Sequence, residues 1–522
     1  MPPTQPRLWL LLALSSAAAA AAAEQCANVT EGTMLGTGSI ATKRVGSAAA
    51  ECCAACVADP RCAAAFTFDA PLNYSGARGK KSCFLKGNAE PAGRCNPHPG
   101  QTACCSGGVP GRKPSPAPPS PHPPPHKPAL SGYNTACKDP ATRQLKFCDA
   151  SLPRAERLLD LVARINASEM GSQLTARESS ALPRLGIPAY YFGTNALHAF
   201  REAPCVKGAD GATHCPTSFP TPPNYGAAFN RSLSMAMGRS FGTELRAMYN
   251  VGAVHSLDTW SPTINLARDP RWGRTDETPS EDPCVLGQHA LHNVLGAQNG
   301  PDPTVPMIGV TLKHWIANNV EGGVGHFSRQ SIDCNISAYD LASSYMPGYE
   351  TAIKQGNALG IMCSYNAVNG KPTCANSELL QVLRGDWKFE GYTTSDSDSC
   401  ECIFNPHKMA PDLQHAAQMC LAGGTDINSG GTYKKTLQMG IADGVVDDAA
   451  ARQALTNAYG FRMRLGLFDP NVTDKNRAIP VSAIGSAANH EASLEAARQG
   501  LILLKTDDGT KGCRSLPANG WS

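Results

Sequence analysis

Asp396 is the first residue of this sequence that could carry chemistry, because it directly follows a short apolar and aromatic run. Residues 387–395 read as a buried strand, with Tyr392 near its end. An acidic side chain at the carboxyl end of a strand lies where a (β/α) barrel places its reactive groups. Such a carboxylate can act as a nucleophile, but in isolation the pattern also fits a residue that caps the next helix. The upstream segments favour the first alternative.

Three upstream segments carry cationic and polar side chains suited to a hydroxylated ligand. They are Arg274 at the end of residues 260–274, Lys313 and His314 after the apolar run 310–312, and Tyr365 within residues 360–370. An arginine fork can clamp vicinal hydroxyls or fix a nearby carboxylate. Each segment alone has a structural explanation, such as an exposed ion pair or a core tyrosine. Together they predict one site.

The elements that must position this site alternate along the chain from about residue 137 to 469. Helical patterns cover 152–165, 232–249 and 338–355, and short apolar runs cover 309–312, 360–365 and 391–395. Alternating strands and helices indicate a parallel sheet with right-handed crossovers. Their number favours a barrel over an open doubly wound sheet. The predicted fold class is α/β, a TIM-type (β/α) barrel preceded by a small disulfide-rich α+β domain.

Composition excludes several function classes. The chain has 522 residues, a net charge of +3 and 17% charged residues, so neither nucleic acid nor an acidic membrane surface is an expected partner. Residues 1–23 combine one arginine, a leucine-rich run and an alanine tract, which predicts a signal peptide. The leucine-rich run is too short for a membrane anchor. We therefore expect a secreted protein, extracellular or in the cell wall.

Cysteine and proline usage divides the N-terminal part of the chain. Nine of the 21 cysteines lie between Cys26 and Cys105, which predicts a disulfide framework over residues 26–108. This pattern resembles the PAN/apple family, so a protein or glycan ligand is expected for it. The proline-rich run 114–125 predicts an extended linker over residues 109–135.

From about residue 147 to 505 the chain resembles glycoside hydrolase family 3, and most closely its plant-type β-xylosidase branch. The motifs that carry the resemblance, besides the segments above, are Pro183–Tyr190, Ala196–His198, Thr217–Pro220 and Leu465–Phe468. The family implies a barrel that accepts one terminal sugar of a β-linked chain and retains its configuration. It implies no metal and no organic cofactor. The barrel domain is expected over residues 136–475.

The resemblance also implies a role for each candidate residue. Asp396 takes the place of the nucleophile that attacks the anomeric carbon. Lys313 and His314 match a pair that holds sugar hydroxyls, and Arg274 matches a sugar-clamping arginine. Tyr365 matches a tyrosine that packs beside the nucleophile and hydrogen-bonds it. Cations and hydroxyl donors around an aspartate are what its ionised form requires.

Two further candidate substrate-binding residues match the family's motifs less closely. Arg329 matches another family arginine, although the insertion at residues 321–325 makes the alignment loose. Asn195 stands where the family has a hydroxyl-binding carboxylate. An amide can hydrogen-bond a sugar but brings no charge, so the preference among xylose, glucose and arabinose stays open.

The resemblance also bears on disulfides near the site. The family's cysteine after the nucleophile is Ser397 in this chain, and a later family cysteine is Ser429. Since both are replaced together, one disulfide is expected to be absent. Cys400 and Cys402 are then expected to pair elsewhere.

A retaining glycosidase needs a second carboxyl group, about 5–5.5 Å from the first, to protonate the leaving oxygen. In the family this acid/base lies on a second α/β domain, whose beginning resembles residues 491–505. We expect residues 476–522 to be a linker and a truncated start of that domain, and the acid/base to be absent. Glu277 and Glu281 are conceivable substitutes, but salt bridges explain them better.

Two functions are therefore expected. The first is a secreted, exo-acting, retaining β-glycosidase of the β-D-xylosidase type that removes terminal sugars from plant-type or algal wall oligosaccharides. Loss of the acid/base domain would impair it. The second is a non-catalytic carbohydrate-binding or adhesion protein, in which the PAN-like domain and the barrel both dock their ligands.

Overall fold

The computed structural model describes residues 135–502, except Glu178, Glu202, residues 323–327 and Thr473, together with five N-terminal strands. The chain divides into two compact units, residues 1–127 and 128–522. The predicted signal peptide, nearly all of the predicted linker and residues 503–522 lie outside the described part.

The described part of the first unit is antiparallel. Its strands are β1 (Thr30–Glu31), β2 (Ser39–Lys43), β3 (Ala64–Phe68), β4 (Ser82–Lys86) and β5 (Cys105–Ser106). Strand β4 lies between β2 and β3, and β1 pairs with β5. Strand β3 contains Phe66 and Phe68, whose alternate spacing is typical of a strand. The predicted disulfide framework of this unit lies outside the described residues.

A parallel sheet forms the centre of the second unit. Its strands are β8 (Asp258–Thr259), β9 (Gly309–Trp315), β11 (Gly360–Cys363) and β14 (Tyr392–Ser395). Their order is β14-β11-β9-β8, with every neighbouring pair parallel. The remaining short strands are β6 (Val206–Lys207), β7 (Thr213–His214), β10 (Asp333–Cys334), β12 (Ala367–Val368) and β13 (Lys371–Pro372).

Isolated bridges continue this sheet in both directions. Parallel bridges join Thr194 to Thr259 at one side and Thr394 to Ile427 at the other, and a further parallel bridge joins Asn428 to Thr175. An antiparallel bridge between Ser179 and Tyr190 then connects the segments that carry the two ends. The circuit of pairings closes, as expected for a barrel.

Helices accompany these strands. They are α1 (Arg154–Ala163), α2 (Ala167–Gln173), α3 (Pro222–Gly226), α4 (Arg231–Asn250), α5 (Pro283–Gln298), α6 (Ala338–Asp340), α7 (Pro347–Lys354), α8 (Ser377–Gln381), α9 (Ser399–Phe404), α10 (Leu413–Ala422), α11 (Thr432–Ala442), α12 (Asp448–Arg464) and α13 (Ala487–Gln499). The two longest helices before β9 begin at capping residues. The Asn230 side chain accepts from the first turn of α4, and Asp282 accepts from Val285 in α5.

Two predictions about these elements were wrong in detail. Lys313 and His314 were expected after a strand, but β9 continues through them to Trp315, with every residue buried. The helix predicted over residues 338–355 is divided, because a π-helical turn at Leu341–Tyr345 separates α6 from α7. Helix α7 starts at Pro347, whose ring removes a backbone donor and favours the first turn of a new helix.

Aromatic side chains fill the barrel interior. The Tyr392 ring packs against Phe192 at 5.1 Å and Phe461 at 4.7 Å between centroids. Its hydroxyl donates to the buried carboxylate of Asp258 at 3.0 Å and accepts from the Trp260 indole at 3.2 Å. This packing fills the base of the barrel and leaves the carboxyl ends of the strands to form the site.

The described cysteines form four disulfides. They are Cys137–Cys148, Cys205–Cys215, Cys363–Cys374 and Cys400–Cys420. The prediction that Cys400 pairs elsewhere is confirmed, because it pairs with Cys420. The same prediction for Cys402 is wrong, since Cys402 is a buried free thiol. The segments that carry the replaced family cysteines do meet, since the Asp398 amide donates to the Ser429 carbonyl.

Candidate active site

A cavity of about 620 Å³ opens at the carboxyl ends of the barrel strands. All seven predicted site residues line it, namely Asn195, Arg274, Lys313, His314, Arg329, Tyr365 and Asp396. Four of them lie in or just after a strand of the sheet: Lys313 and His314 are in β9, Asp396 comes directly after β14, and Tyr365 lies two residues beyond β11. Parallel strands bring their carboxyl ends to the same edge, which explains why residues so distant in sequence converge.

Asp396 is held by its backbone and leaves one carboxylate oxygen without a hydrogen-bond partner among the described residues. Its amide donates to the Cys363 carbonyl at 3.0 Å, and its Oδ1 accepts from the Ser397 amide at 2.7 Å. Oδ2 is buried and accepts no hydrogen bond from any described residue. The lone pairs of Oδ2 are therefore available to a bound molecule.

His314 lies beside this oxygen but is neutral. Its Nε2 is 3.6 Å from Asp396 Oδ2, a distance that would permit an ion pair. Burial and the positive charges of Arg274 and Lys313 hold the pKa of His314 well below its ordinary value. Arg274 also donates to Nε2 at 3.1 Å, and a guanidinium can only donate. The imidazole therefore accepts at Nε2 and carries its proton on Nδ1.

Arg274 and Arg329 are each paired with a glutamate. Arg274 forms two hydrogen bonds with Glu277, at 2.9 and 2.6 Å. Burial alone would raise the pKa of Glu277, but the contacts with Arg274 outweigh burial and lower it. Arg329 donates to Glu321 at 3.1 Å. The prediction that a salt bridge accounts for Glu277 is confirmed by these contacts.

Lys313 is the cation most deeply enclosed in the described wall of the cavity. Its Nζ donates to Asn195 Oδ1 at 3.2 Å. Burial, assisted by the charge of Arg274, lowers the pKa of Lys313 to about 8. At neutral pH the side chain is therefore a buried ammonium group.

Tyr365 occupies the other side of Asp396. The Arg329 guanidinium lies over its ring, 4.7 Å from the centroid. Burial and the nearby Asp396 carboxylate raise the pKa of Tyr365 above its ordinary value. Its hydroxyl therefore stays protonated and can donate to the Asp396 carboxylate beside it.

The structure adds residues that the sequence analysis missed. Asn265 Oδ1 accepts from the His314 amide at 2.8 Å and lies 3.1 Å from His314 Nδ1. Asp258 holds the segment before Asn195, because its carboxylate accepts from the Gly193 amide at 2.8 Å. Glu321 lines the cavity between the two arginines. No motif in a single sequence distinguishes these buried polar residues from ordinary core residues.

Chemically, the cavity combines one carboxylate with a free oxygen and several groups that bind hydroxyls. Among the described residues, no group of three His, Cys, Asp or Glu side chains is arranged to hold a metal ion. None of the described helices is long and apolar enough to cross a membrane.

Comparison with known proteins identifies the two units. Residues 194–458, about half of the chain, match the family model of the glycosyl hydrolase family 3 N-terminal domain, and residues 31–86 match a PAN domain. A probable exo-1,4-β-xylosidase of Aspergillus terreus is 37% identical over 376 residues, covering 71% of this chain and 49% of the relative. β-D-xylosidase 3 of Arabidopsis thaliana is 35% identical, covering 71% and 48%.

Solved structures agree with this comparison. A family 3 exo-β-xylosidase, in complex with a xylobiose aziridine activity-based probe, matches with a TM-score of 0.66 and 30% identity. The match covers 73% of this chain and 49% of that one. A β-glucosidase from Listeria innocua in complex with isofagomine matches at 23% identity with a TM-score of 0.56, covering 68% and 52%. This second likeness shows the fold alone.

The chain spans about half the length of the curated relatives it matches. The family model matches the part of this chain that forms most of the barrel, and this part contains the seven candidate residues of the cavity. The family model, the xylosidase relatives and the closed circuit of parallel strands are mutually consistent. On this evidence the chain belongs to glycosyl hydrolase family 3, in its plant-type β-xylosidase branch, with a PAN domain ahead of a TIM-type barrel.

Proposed function

We propose that this chain is an exo-acting, retaining β-glycosidase of the β-D-xylosidase type, with Asp396 as its nucleophile. The observation that carries the proposal is the Asp396 carboxylate, which lines the cavity and whose Oδ2 accepts no hydrogen bond from a described residue. Arg274 and Lys313 place positive charge nearby. A carboxylate in this state can attack an electrophilic carbon.

In the proposed step, Oδ2 of Asp396 forms a bond to the anomeric carbon, while the bond from that carbon to the leaving oxygen breaks. The electron pair leaves with the aglycone oxygen, which takes up a proton from water. Water then hydrolyses the glycosyl ester and releases the sugar with its original configuration. Lys313, Arg274 and Arg329 bind hydroxyls, as do the neutral His314 and the protonated Tyr365.

The described residues supply the attack better than the protonation. Glu277 is held by Arg274, and its lowered pKa makes it a poor acid at neutral pH. Glu321 is paired with Arg329. These two pairings also support a second candidate function, a carbohydrate-binding protein without turnover.

The wider setting of the proposal follows the relatives. Secretion and a plant-type or algal wall oligosaccharide as substrate are supported by the leader-like N-terminus and by the xylosidase names of the relatives. For the PAN domain we propose a protein or glycan ligand, supported by the family match over residues 31–86.

A burst assay tests the nucleophile without requiring an acid. Dinitrophenolate leaves without protonation, so dinitrophenyl β-xyloside or β-glucoside should release a stoichiometric burst. Mass analysis should then find the sugar on the peptide that contains Asp396. The Asp396→Asn variant serves as the control and should show neither. Absence of both burst and adduct in the wild-type chain, with either sugar, would leave the binding protein as the better description.

A further inference from the structure

Lys313 is a buried cation without an ion-pair partner among the described residues. The residue is only 5% exposed, and one hydrogen bond, to Asn195 Oδ1 at 3.2 Å, is the described polar contact of its ammonium group. An ammonium group has three N–H donors. Two of them therefore have no acceptor among the residues that the structure describes.

Two arginines of the described cavity wall, in contrast to Lys313, do form ion pairs. Arg274 is paired with Glu277 at 2.6 Å, and Arg329 with Glu321 at 3.1 Å. The residue in contact with Lys313 is an amide, which satisfies one donor but neutralises no charge. The carboxylates of Glu277 and Asp396 act on Lys313 from a distance, but neither contacts its ammonium group at the Asn195 side of the cavity.

A second cation lies near the same side. Arg177 lines the cavity, stacks over the Trp260 ring at 5.4 Å, and is close enough to Lys313 to help lower its pKa. A buried charge that lacks a counter-ion is unfavourable, and binding an anion next to it recovers that free energy. A neutral hydroxyl supplies an acceptor but brings no negative charge into contact with the ammonium group. These contacts favour a ligand that brings one negative charge.

We propose that this cavity selects a sugar that carries a carboxylate, a hexuronic acid, and that Lys313 pairs with that carboxylate while the Asn195 amide donates to it. This proposal rests on the proposed glycosidase function, and it replaces the pentose expected of a β-D-xylosidase by a hexuronic acid as the preferred sugar. The Asn195 side chain is central, because a carboxylate at the same position would pair with Lys313 and repel the substrate. A charge-assisted hydrogen bond of this kind is expected to change binding by about 10-fold or more.

The experiment compares two sugars that differ only at carbon 6. Rates of covalent labelling of Asp396 are measured with dinitrophenyl β-glucuronide and dinitrophenyl β-glucoside, with dinitrophenyl β-xyloside alongside. Calorimetric titration with glucuronic acid and with glucose measures the same preference without turnover. Each measurement is made on the full chain and on the variants Asn195→Glu and Asn195→Gln.

The wild-type chain should bind glucuronic acid more tightly than glucose, and Asn195→Glu should lower the glucuronide-to-glucoside ratio by about 10-fold. Asn195→Gln, which lengthens the side chain without adding charge, should still bind glucuronic acid more tightly than glucose. Equal or weaker binding of glucuronic acid by the wild-type chain would overturn the proposal, as would an unchanged ratio in Asn195→Glu. Preferential binding with no labelling by any of the three glycosides would instead overturn only the glycosidase function.

Discussion

Asn265 holds His314 through three contacts that together orient the imidazole next to Asp396. Its Oδ1 accepts from the His314 amide at 2.8 Å and faces Nδ1 at 3.1 Å, while its Nδ2 donates to the His314 carbonyl at 2.8 Å. With Arg274 donating to Nε2, the imidazole has a defined tautomer. The apparent His314–Asp396 ion pair is therefore a contact between a neutral ring and a carboxylate.

The variant Asn265→Ala should release the imidazole and slow the labelling of Asp396 by about 10-fold or more, as for other residues that orient binding groups. Asn265→Asp keeps the accepting oxygen but adds negative charge, so it should retain most of the labelling rate and raise the pKa of His314. Nitrogen-15 NMR of the histidine ring reports both the tautomer and the pKa. An unchanged spectrum in both variants would show that Asn265 does not determine the tautomer.

The loss of activity caused by replacing Asp396, the proposed nucleophile, with glycine should be reversible with a small anion. Asp396→Gly should slow dinitrophenolate release on the order of 10⁴-fold. Azide can enter the space of the lost carboxylate and attack the anomeric carbon from the same face. It should restore release and yield the α-glycosyl azide from a β-glycoside, detectable by proton NMR. Asp398→Asn, an exposed neighbour, serves as the matched control and should keep the wild-type burst.

The lowered pKa of Lys313 predicts two pH dependences. Sugar binding should weaken as pH rises through about 8, because the ammonium group loses its proton there. Stability should change in the opposite sense. Between pH 8 and the ordinary lysine value, the unfolded chain binds more protons than the folded one, so the unfolding free energy should rise by about 3 kcal/mol across this window.

Urea unfolding of the wild-type chain and of Lys313→Met between pH 7 and 10.5 measures how the unfolding free energy changes with pH. The variant removes the buried charge, so its unfolding free energy relative to the wild-type chain should be most favourable at pH 7. This relative advantage should decrease as pH rises. A constant difference between the two proteins over this range would contradict the assigned pKa.

A fully buried ion pair joins α4 to the segment after the barrel. The side chains of Arg246 and Asp474 are 0% and 1% exposed. Asp474→Ala would leave the arginine charge buried, and should lower the unfolding free energy by about 3–5 kcal/mol. Glu491→Ala, which breaks the exposed pair with Arg498, should change it by less than about 1 kcal/mol. If urea unfolding shows similar decreases of the unfolding free energy in both variants, burial does not determine how much an ion pair contributes to stability.

Glu244 ties α13 to the barrel through a buried carboxylate. It accepts from the amide and hydroxyl of Thr217, at 3.0 and 2.7 Å, from the Gly485 amide at 3.0 Å, and from Asn489 Nδ2 at 2.8 Å. Glu244→Gln replaces one accepting oxygen by a donor. We expect a loss of about 1–3 kcal/mol and faster hydrogen exchange in residues 487–499.

Glu491→Gln, an exposed change on the same helix, is the control for this prediction. Its amide exchange in α13 should match the wild-type chain. If the Glu244→Gln variant exchanges at the wild-type rate as well, the carboxylate does not anchor α13.

The sequence alone determined which strand ends carry chemistry. A fully buried apolar run ending in polar residues has few alternatives to a central parallel strand, so β9, β11 and β14 were predictable along with Lys313 and Asp396. The order of these segments was also enough to identify the family. The sequence did not determine where each element begins and ends, such as the division of the helix at Pro347. A local hydrophobic pattern does not distinguish one continuous helix from two helices joined by a π-helical turn.

The tertiary structure alone decided the charge state of the site. Asn195 and Lys313 are 118 residues apart in sequence, yet their contact leaves the ammonium group without a counter-ion among the described residues. The tautomer of His314 likewise depends on Asn265, 49 residues away. A pKa depends on burial and on the charges within a few ångströms, and both are properties of the folded arrangement rather than of residue type or spacing.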